Sequence, residues 1–442
     1  MSKVIKLKKG LDIQIKGEAA NVLEHIAKPE TFAIKPTDFH GLIPKLTVKV
    51  GDTVKAGTPL FFDKYQPEVN FTSPVSGEVV AINRGERRKV LEVVVKADGA
   101  DLSEDIGKVD PQKLSTDEIK ALLMKSGLWP SVKTRPFGII ARPTDQPKAI
   151  FISCFDSSPL APDFDFILKG EESSWQAGIN ALLKLGNGKV NLGLSAKKEN
   201  KLFASTQGVQ LNYFDGPHPA GNVGIQIAAV SPINKGEVVW TVAPQDVVTI
   251  GKLLLTGKFD ASKIVALVGS EVKEPKYYRF WKGANLSVLL KNHLEGKNNR
   301  IISGNILTGT AVAADNFLGY YDSMVSVIPE GNYYEMFGWA TPGFGKFSPS
   351  RTFFSWMGSG KKKYILDMHG EARAFVLSDQ YEQVLPMDIL PVYLLKAILA
   401  NDIDAMEQLG IYEVVEEDLA LCEYICTSKI KVKSILRGGI NS

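Results

Sequence analysis

The stretch AIFISCFDSSPLAPDFDFILKGEESSWQAGINALLKLGNGKVNLGL (149–194) decides the fold. It opens on Ala149–Ser153, apolar up to its last residue, the pattern of a strand covered on both faces. Ser174–Leu185 then repeats apolar residues at helical spacing, and Lys189–Leu194 is strand-like again. A strand, a helix and a second strand imply a parallel sheet with right-handed crossovers. Working outward, Val238–Val242 and Lys263–Val268 read as further strands and Gln245–Thr256 as a helix.

The pattern differs on either side. Residues 1–105 read as β, with short apolar runs at Leu46–Val50, Leu60–Phe62, Val79–Ile82 and Val90–Val95 between Gly, Pro and Asn turns. Residues 101–118 are polar and acidic, contain Pro111, and read as a linker. Residues 271–315 form a small unit with an aromatic run, Lys276–Trp281, and a short helix over Asn285–His293. Residues 316–380 are rich in Gly and aromatics without a period, and 384–442 read as helical. Asn401–Tyr424 holds eight acidic residues and no Lys or Arg, which reads as a solvated face.

Composition sets limits. At 442 residues about three domains are expected. With 44% hydrophobic and 23% charged residues, the chain is too apolar for global disorder. Lys plus Arg number 52 against 49 Asp plus Glu, a balance that argues against nucleic acid as the main partner. No stretch approaches the roughly 18 apolar residues of a membrane span; the best, Ile389–Ala400, is interrupted by Pro391 and Lys396. The start MSKVIKLKKG lacks an apolar segment, so no secretory signal is expected and any membrane link is expected to run through a partner. Three cysteines, Cys154, Cys422 and Cys426, fit a reducing compartment and are too few for a four-cysteine cluster. His25, His40, His218, His293 and His369 are scattered, without metal-ligand spacing.

VGDTVKAG (50–57) and SPVSGEV (73–79) together resemble the barrel-sandwich hybrid of lipoyl and biotinyl carrier domains. Lys64 stands nearest to the modified lysine of such carriers. It lies ten residues before Pro74 and is followed by Tyr65 instead of a small residue, so a structural sandwich is the favoured reading. The basic run Arg84, Arg87, Arg88 and Lys89 reads as a solvated hairpin tip.

SCFDSSPLAPDFDF (153–166), GPHPAGNVG (216–224), RIISGNILTG (300–309) and LALCEYICTSK (419–429) carry a resemblance along essentially the whole chain. The chain resembles the flavin subunit of respiratory complex I and the C subunit of the Rnf complex. It looks most like the family of A subunits of the Na+-translocating NADH:quinone oxidoreductase (Na+-NQR). The resemblance implies an α/β plus β multidomain fold. Its parts would be a barrel-sandwich hybrid (1–105), a Rossmann-like parallel α/β domain (106–268) and an SLBB ubiquitin-like β-grasp domain (269–315). A Gly/aromatic connection (316–383) and a helical C-terminal domain (384–442) would follow.

Three loops depart from the flavin subunits. Where those carry a glycine run after Ser-Gly-Leu, Ser126-Gly127-Leu128 here leads into Trp129-Pro130. Tryptophan is bulky and proline has no N–H, so a phosphate cradle cannot be built there. The acidic segment of the relatives is Asp156-Ser157-Ser158-Pro159, with one acid replaced by Ser158. Their Tyr-Pro-x-Gly stretch and its acid are replaced by His218-Pro219-Ala220-Gly221-Asn222. The expectation is a nucleotide-shaped compartment that has lost FMN and NADH. Trp129, Asp156, Ser158, His218 and Asn222 would line it as a quinone-binding or vestigial flavin pocket. His218 and Asp156 also fit plain turn or capping roles. Cys422 and Cys426, where the Rnf relative holds iron–sulfur ligands, read as helix packing.

The aromatic run Tyr333, Tyr334, Phe337, Trp339, Phe344, Phe347, Phe353, Phe354 and Trp356 fits either a loop-rich core or an anchor surface. The function implied by the resemblance is a peripheral component without catalytic residues, metal or covalent cofactor of its own. It would serve quinone access and assembly at the cytoplasmic face, with ubiquinone or menaquinone as substrate. It would dock on the membrane-embedded B and C subunits, which would carry covalent FMN, while FAD and iron–sulfur would belong to the F subunit and riboflavin to a partner subunit as well. The rival readings are a free-standing flavin-dependent NADH oxidoreductase and a lipoyl- or biotin-type carrier.

Overall fold

A computed structural model of the chain describes residues 4–331, 335–348, 351–357, 360–364 and 371–442. Its largest element is a seven-stranded sheet in the order Val4–Lys6, Gln210–Asp215, Val190–Ser195, Ile150–Ser153, Val239–Thr241, Lys133–Arg135 and Ile139–Ile140. The first five strands run parallel and the last two join antiparallel. Because side chains alternate along a strand, Ile150 and Ile152 join the main core while Ala149 and Phe151 join a second cluster with Ile227 and Val239. Helices Glu172–Leu185 and Pro244–Thr256 pack on each other and on the main core. The helix Val223–Val230 packs on the strand Ile150–Ser153 and supplies Ile227 to the second cluster.

Residues 31–97 form the barrel-sandwich portion. One sheet holds Thr31–Ile34, Val90–Ala97, Gly77–Arg84 and Thr53–Val54; the other holds Pro44–Leu46, Pro59–Asp63 and Gln66–Thr72. Phe61 and Phe71 stack at 4.8 Å inside it. A six-stranded sheet follows, ordered Thr310–Val312, Asn299–Ser303, Met324–Pro329, Ser262–Val268, Lys276–Trp281 and Ala20–His25. The C-terminal part is helical, with Pro391–Leu399, Ile403–Gln408, Ala420–Ile425 and Val432–Asn441.

Several elements differ from the sequence expectation. The composition of 101–118 suggests a linker, yet a helix begins inside it at Thr116. Ser115 and Glu118 form a reciprocal capping box there, which satisfies two backbone donors and fixes the start. The rest of that stretch is pinned by Ile106 N–H to Gly257 O and Val109 N–H to Leu254 O. Strand Met324–Pro329 lies in a segment without a period, because all but its last residue are buried. The run at Leu46–Val50 yields a strand over Pro44–Leu46 only, and the helix in 285–293 spans Ser287–Leu290. The first two strands leave the sandwich altogether: Val4–Lys6 pairs with Tyr213–Asp215, and Ala20–His25 with Lys276–Trp281.

The units are joined by a buried charge. Lys282 follows the strand Lys276–Trp281 and reaches Asp246 of the helix Pro244–Thr256 at 2.7 Å. Its ammonium also lies 4.4 Å over the Tyr320 ring. Burial alone would lower the Lys282 pKa, but the Asp246 carboxylate outweighs it and holds the pKa above the usual lysine value. Asp246→Ala would leave that ammonium unpaired, and a loss of about 3–5 kcal/mol in urea unfolding is expected. The double variant Asp246→Ala/Lys282→Met should recover most of it; equal losses in both would show that the pair is not the source.

Candidate functional site

A cavity of about 810 Å³ opens at the carboxyl ends of the strands Ile150–Ser153 and Val239–Thr241. Open α/β sheets place ligands there, because loops diverge at strand ends and leave a crevice. Other parts of the chain close it. His40 comes from the sandwich, Asn305–Thr310 from the six-stranded sheet unit, Val415–Glu417 from the turn before the helix Ala420–Ile425, and Lys433–Arg437 from the last helix. Phe155, Phe164, Val223, Val242, Leu307 and Val415 give it apolar wall; Ser153, Asp156, His218 and Asn222 give it polar wall.

The polar wall is locally braced. Ser153 Oγ lies 2.8 Å from the Gly221 carbonyl and accepts a hydrogen bond from Gln226 Nε2, also at 2.8 Å. Asp156 closes an Asx turn, its Oδ1 accepting the Ser158 N–H at 2.7 Å. Ser157 Oγ accepts the Gly221 N–H at 2.8 Å and sits 3.0 Å from His218 Nδ1. The His218 backbone N–H donates to Asp12 Oδ1 at 2.8 Å, so the N-terminal segment steadies the same loop.

Burial sets the charges. His218 is 3% exposed, and desolvation pushes its pKa down to about 4, leaving a neutral imidazole near pH 7. Desolvation raises Asp156, and the hydrogen bonds from Ser158 and Ser157 oppose it. His40 is lowered as well, by burial first and then by Arg437. A neutral imidazole beside a carboxyl with a raised pKa suits recognition of an uncharged ligand with hydrogen-bonding oxygens.

Three of the five candidate residues line this cavity: Asp156, His218 and Asn222. Asn222 precedes the helix Val223–Val230, and its Nδ2 donates to the Glu417 carbonyl at 3.0 Å. Ser158 does not line it; the residue is 7% exposed and its hydroxyl has no hydrogen-bond partner among the described residues. Trp129 does not line it either. Its ring is fully buried, with Nε1–H donated to the Ala141 carbonyl at 2.7 Å and an edge contact to Trp240 at 5.5 Å. Leu128, Trp129, Pro130 and Ser131 are all buried, so this loop does not fit a phosphate group.

Sequence reasoning missed Ser157, Gln226 and, above all, Arg135 with its carboxylate partners Glu417 and Asp418. The acidic pair stands in a run that reads as solvated, yet Asp418 is 2% exposed and precedes the fully apolar Leu419-Ala420-Leu421. Elsewhere, Lys64 is exposed on the hairpin tip between Pro59–Asp63 and Gln66–Thr72, its ammonium 5.4 Å over the Tyr65 ring. Cys422 and Cys426 are buried, with the Tyr381 hydroxyl donating to Cys426 Sγ at 2.8 Å. No group of His, Cys, Asp and Glu suited to a metal ion occurs among the described residues. Phe337, Trp339, Phe344, Phe354 and Trp356 are exposed, Trp339 at 78%. Phe347 instead packs 4.8 Å from Tyr424. Tyr333, Tyr334 and His369 lie outside the described residues.

Comparison with known proteins bears on the whole chain. Residues 5–98 match the NqrA N-terminal barrel-sandwich hybrid domain, 114–259 the NqrA second alpha/beta domain, and 264–314 the NQRA C-terminal domain. The chain is 40% identical over 438 residues to the A subunit of the Na(+)-translocating NADH-quinone reductase of Yersinia pestis bv. Antiqua (strain Angola), covering 98% of each chain. It is 39% identical over 442 residues to the corresponding protein of Actinobacillus pleuropneumoniae serotype 5b (strain L20), covering 99% and 98%. Among solved structures, an NAD+-reducing [NiFe]-hydrogenase in the air-oxidized state aligns at 14% identity and a TM-score of 0.36, over 67% of this chain and 54% of that one. The chain is multidomain, with an N-terminal barrel-sandwich domain, a second α/β domain and a C-terminal domain, and it belongs to the NqrA family, the A subunits of the Na(+)-translocating NADH-quinone reductase.

Proposed function

We propose that this chain is a peripheral component of a sodium-translocating NADH:quinone reductase and that its cavity takes the quinone headgroup. The observation that carries this reading is a strand-end cavity with a neutral, buried His218 on one side and apolar wall on the other. A quinone ring is flat, uncharged and bears carbonyl oxygens, which matches such a wall. The bond to Ser157 engages His218 Nδ1, leaving Nε2 for a ligand oxygen. Redox cofactors reside in partner subunits in this reading, and the buried Leu128–Ser131 loop agrees with it. The parts would correspond to a Rossmann-like α/β domain, an SLBB-type β-grasp unit and a helical C-terminal domain, with 106–268, 269–315 and 384–442 as their limits.

No helix among the described residues is long and apolar enough to cross a membrane. Attachment would run through the exposed aromatic segment, with the B or C subunit as the receiving surface, on the cytoplasmic face. Phe337, Trp339 and Trp356 are the anchor class of such contacts, being large, rigid and exposed here.

Three outcomes test these statements. Titration of the purified chain with a short-chain ubiquinone should saturate, and His218→Ala should weaken binding about tenfold; non-saturating wild type would leave a scaffold role only. His218 gains its proton more readily unfolded than folded, so its contribution is lost as pH falls from about 6.5 towards about 4. The loss should reach on the order of 3 kcal/mol, and His218→Gln should flatten that part of the pH–stability profile. Trp339→Ser/Trp356→Ser should leave the isolated chain folded yet lower its recovery with the membrane subunits after gentle solubilisation.

A further inference from the structure

Arg135 ends its strand with a side chain 4% exposed. Its guanidinium meets Asp418 Oδ2 at 2.5 Å and Glu417. Burial would lower its pKa, but the carboxylates of Asp418 and Glu417 outweigh that and keep it charged. The cluster lies on the first turn of the helix Val223–Val230. A Cβ on Gly224 would fall 2.4 Å from Arg135 Nη1 and 2.4 Å from Asp418 Oδ1, so a side chain there would have to displace the guanidinium or the carboxylate. Asp418 Oδ2 also accepts the Val415 N–H at 3.0 Å, while Oδ1 has no hydrogen-bond partner among the described residues. The Asp418 side chain is fully buried. Arg135, Asn222, Val223 and Glu417 all line the cavity.

A buried guanidinium on a cavity wall is a ready partner for an oxyanion. Here the chain provides the anion itself. The other cations of the cavity are engaged too. Lys433 Nζ donates to the Leu307 carbonyl at 2.5 Å and lies 3.4 Å from Glu423. Arg437 is paired with Glu416 and donates to the Phe137 carbonyl at 2.8 Å. Lys133 lies 4.1 Å over the Tyr321 ring. His40 is 3.9 Å from Glu416.

We propose that Glu417 and Asp418 fill, from within the same chain, an oxyanion site centred on the Arg135 guanidinium, and so make the cavity refuse phosphate-bearing ligands. The pair is then a specificity determinant. It turns away dinucleotides by occupying the place of a phosphate, and uncharged ligands still enter beside it. The refusal concerns anions only and does not depend on the quinone reading.

The probe is inorganic pyrophosphate, titrated into the full chain by calorimetry with far-UV circular dichroism as the fold control. Wild type should show no saturable binding. Glu417→Gln/Asp418→Asn should bind pyrophosphate at least about tenfold more tightly, since the guanidinium is freed. Adding Arg135→Gln to that double variant should abolish the gain. A folded double variant without the gain, a gain that survives Arg135→Gln, or saturable binding by wild type each overturns the proposal. Should the double variant not fold, Glu417→Gln alone decides. Its carboxylate is 39% exposed, and a gain of about threefold is expected; none overturns the proposal. Quinone titration of wild type is unaffected by any of these results, so the two readings fail separately.

Discussion

A guanidinium withdrawn from water needs carboxylates close by, and Arg135 finds both of its own some 280 residues away along the chain. That one requirement ties the end of a sheet strand to the C-terminal helices. Because Glu417 and Asp418 must sit against Arg135, the segment Val415–Glu417 becomes a wall of the cavity instead of a free surface. Asn222 reinforces the seat by donating to the Glu417 carbonyl, and Arg437 holds Glu416 next door. The crevice that any parallel sheet leaves at its strand ends thereby gains a further wall.

The compartment also explains the placement of the loops around it. Trp129 and its neighbours lie on the core side of the strand Lys133–Arg135, packed on Trp240 and Ala141. The polar face of the cavity is instead made by the two loops that carry Asp156 and His218, cross-linked through Ser157 and Gly221. Both loops are held by side-chain hydrogen bonds to backbone N–H groups, so the imidazole and carboxyl are fixed before any ligand arrives.

Local pattern makes much of this readable in advance. The strands around 150, 190, 240 and 265 and the helices 172–185 and 244–256 follow directly from apolar period and length. The grouping of Asp156, His218 and Asn222 comes from the resemblance to the flavin subunits, not from local pattern. Long-range pairing is what local pattern leaves out. Glu417 and Asp418 look like solvated acids until Arg135 is placed beside them, and nothing in one sequence names that partner. Trp129 and Ser158 fail as cavity residues for the same reason: adjacency to a loop does not tell which side of the sheet a side chain takes. The capped helix at Thr116 is the exception, since Ser115 and Glu118 carry a local signal in a stretch whose composition suggests a linker.

The distribution of the first two strands bears on how the molecule is made. Among the described residues, Val4–Lys6 finds its strand neighbour at Tyr213–Asp215, and Ala20–His25 at Lys276–Trp281. At bacterial elongation speeds the leading residues wait roughly ten to sixty seconds for those partners to leave the ribosome. During that interval the sandwich can close while residues 4–25 hang unpaired, so assembly of the seven- and six-stranded sheets is ordered by translation.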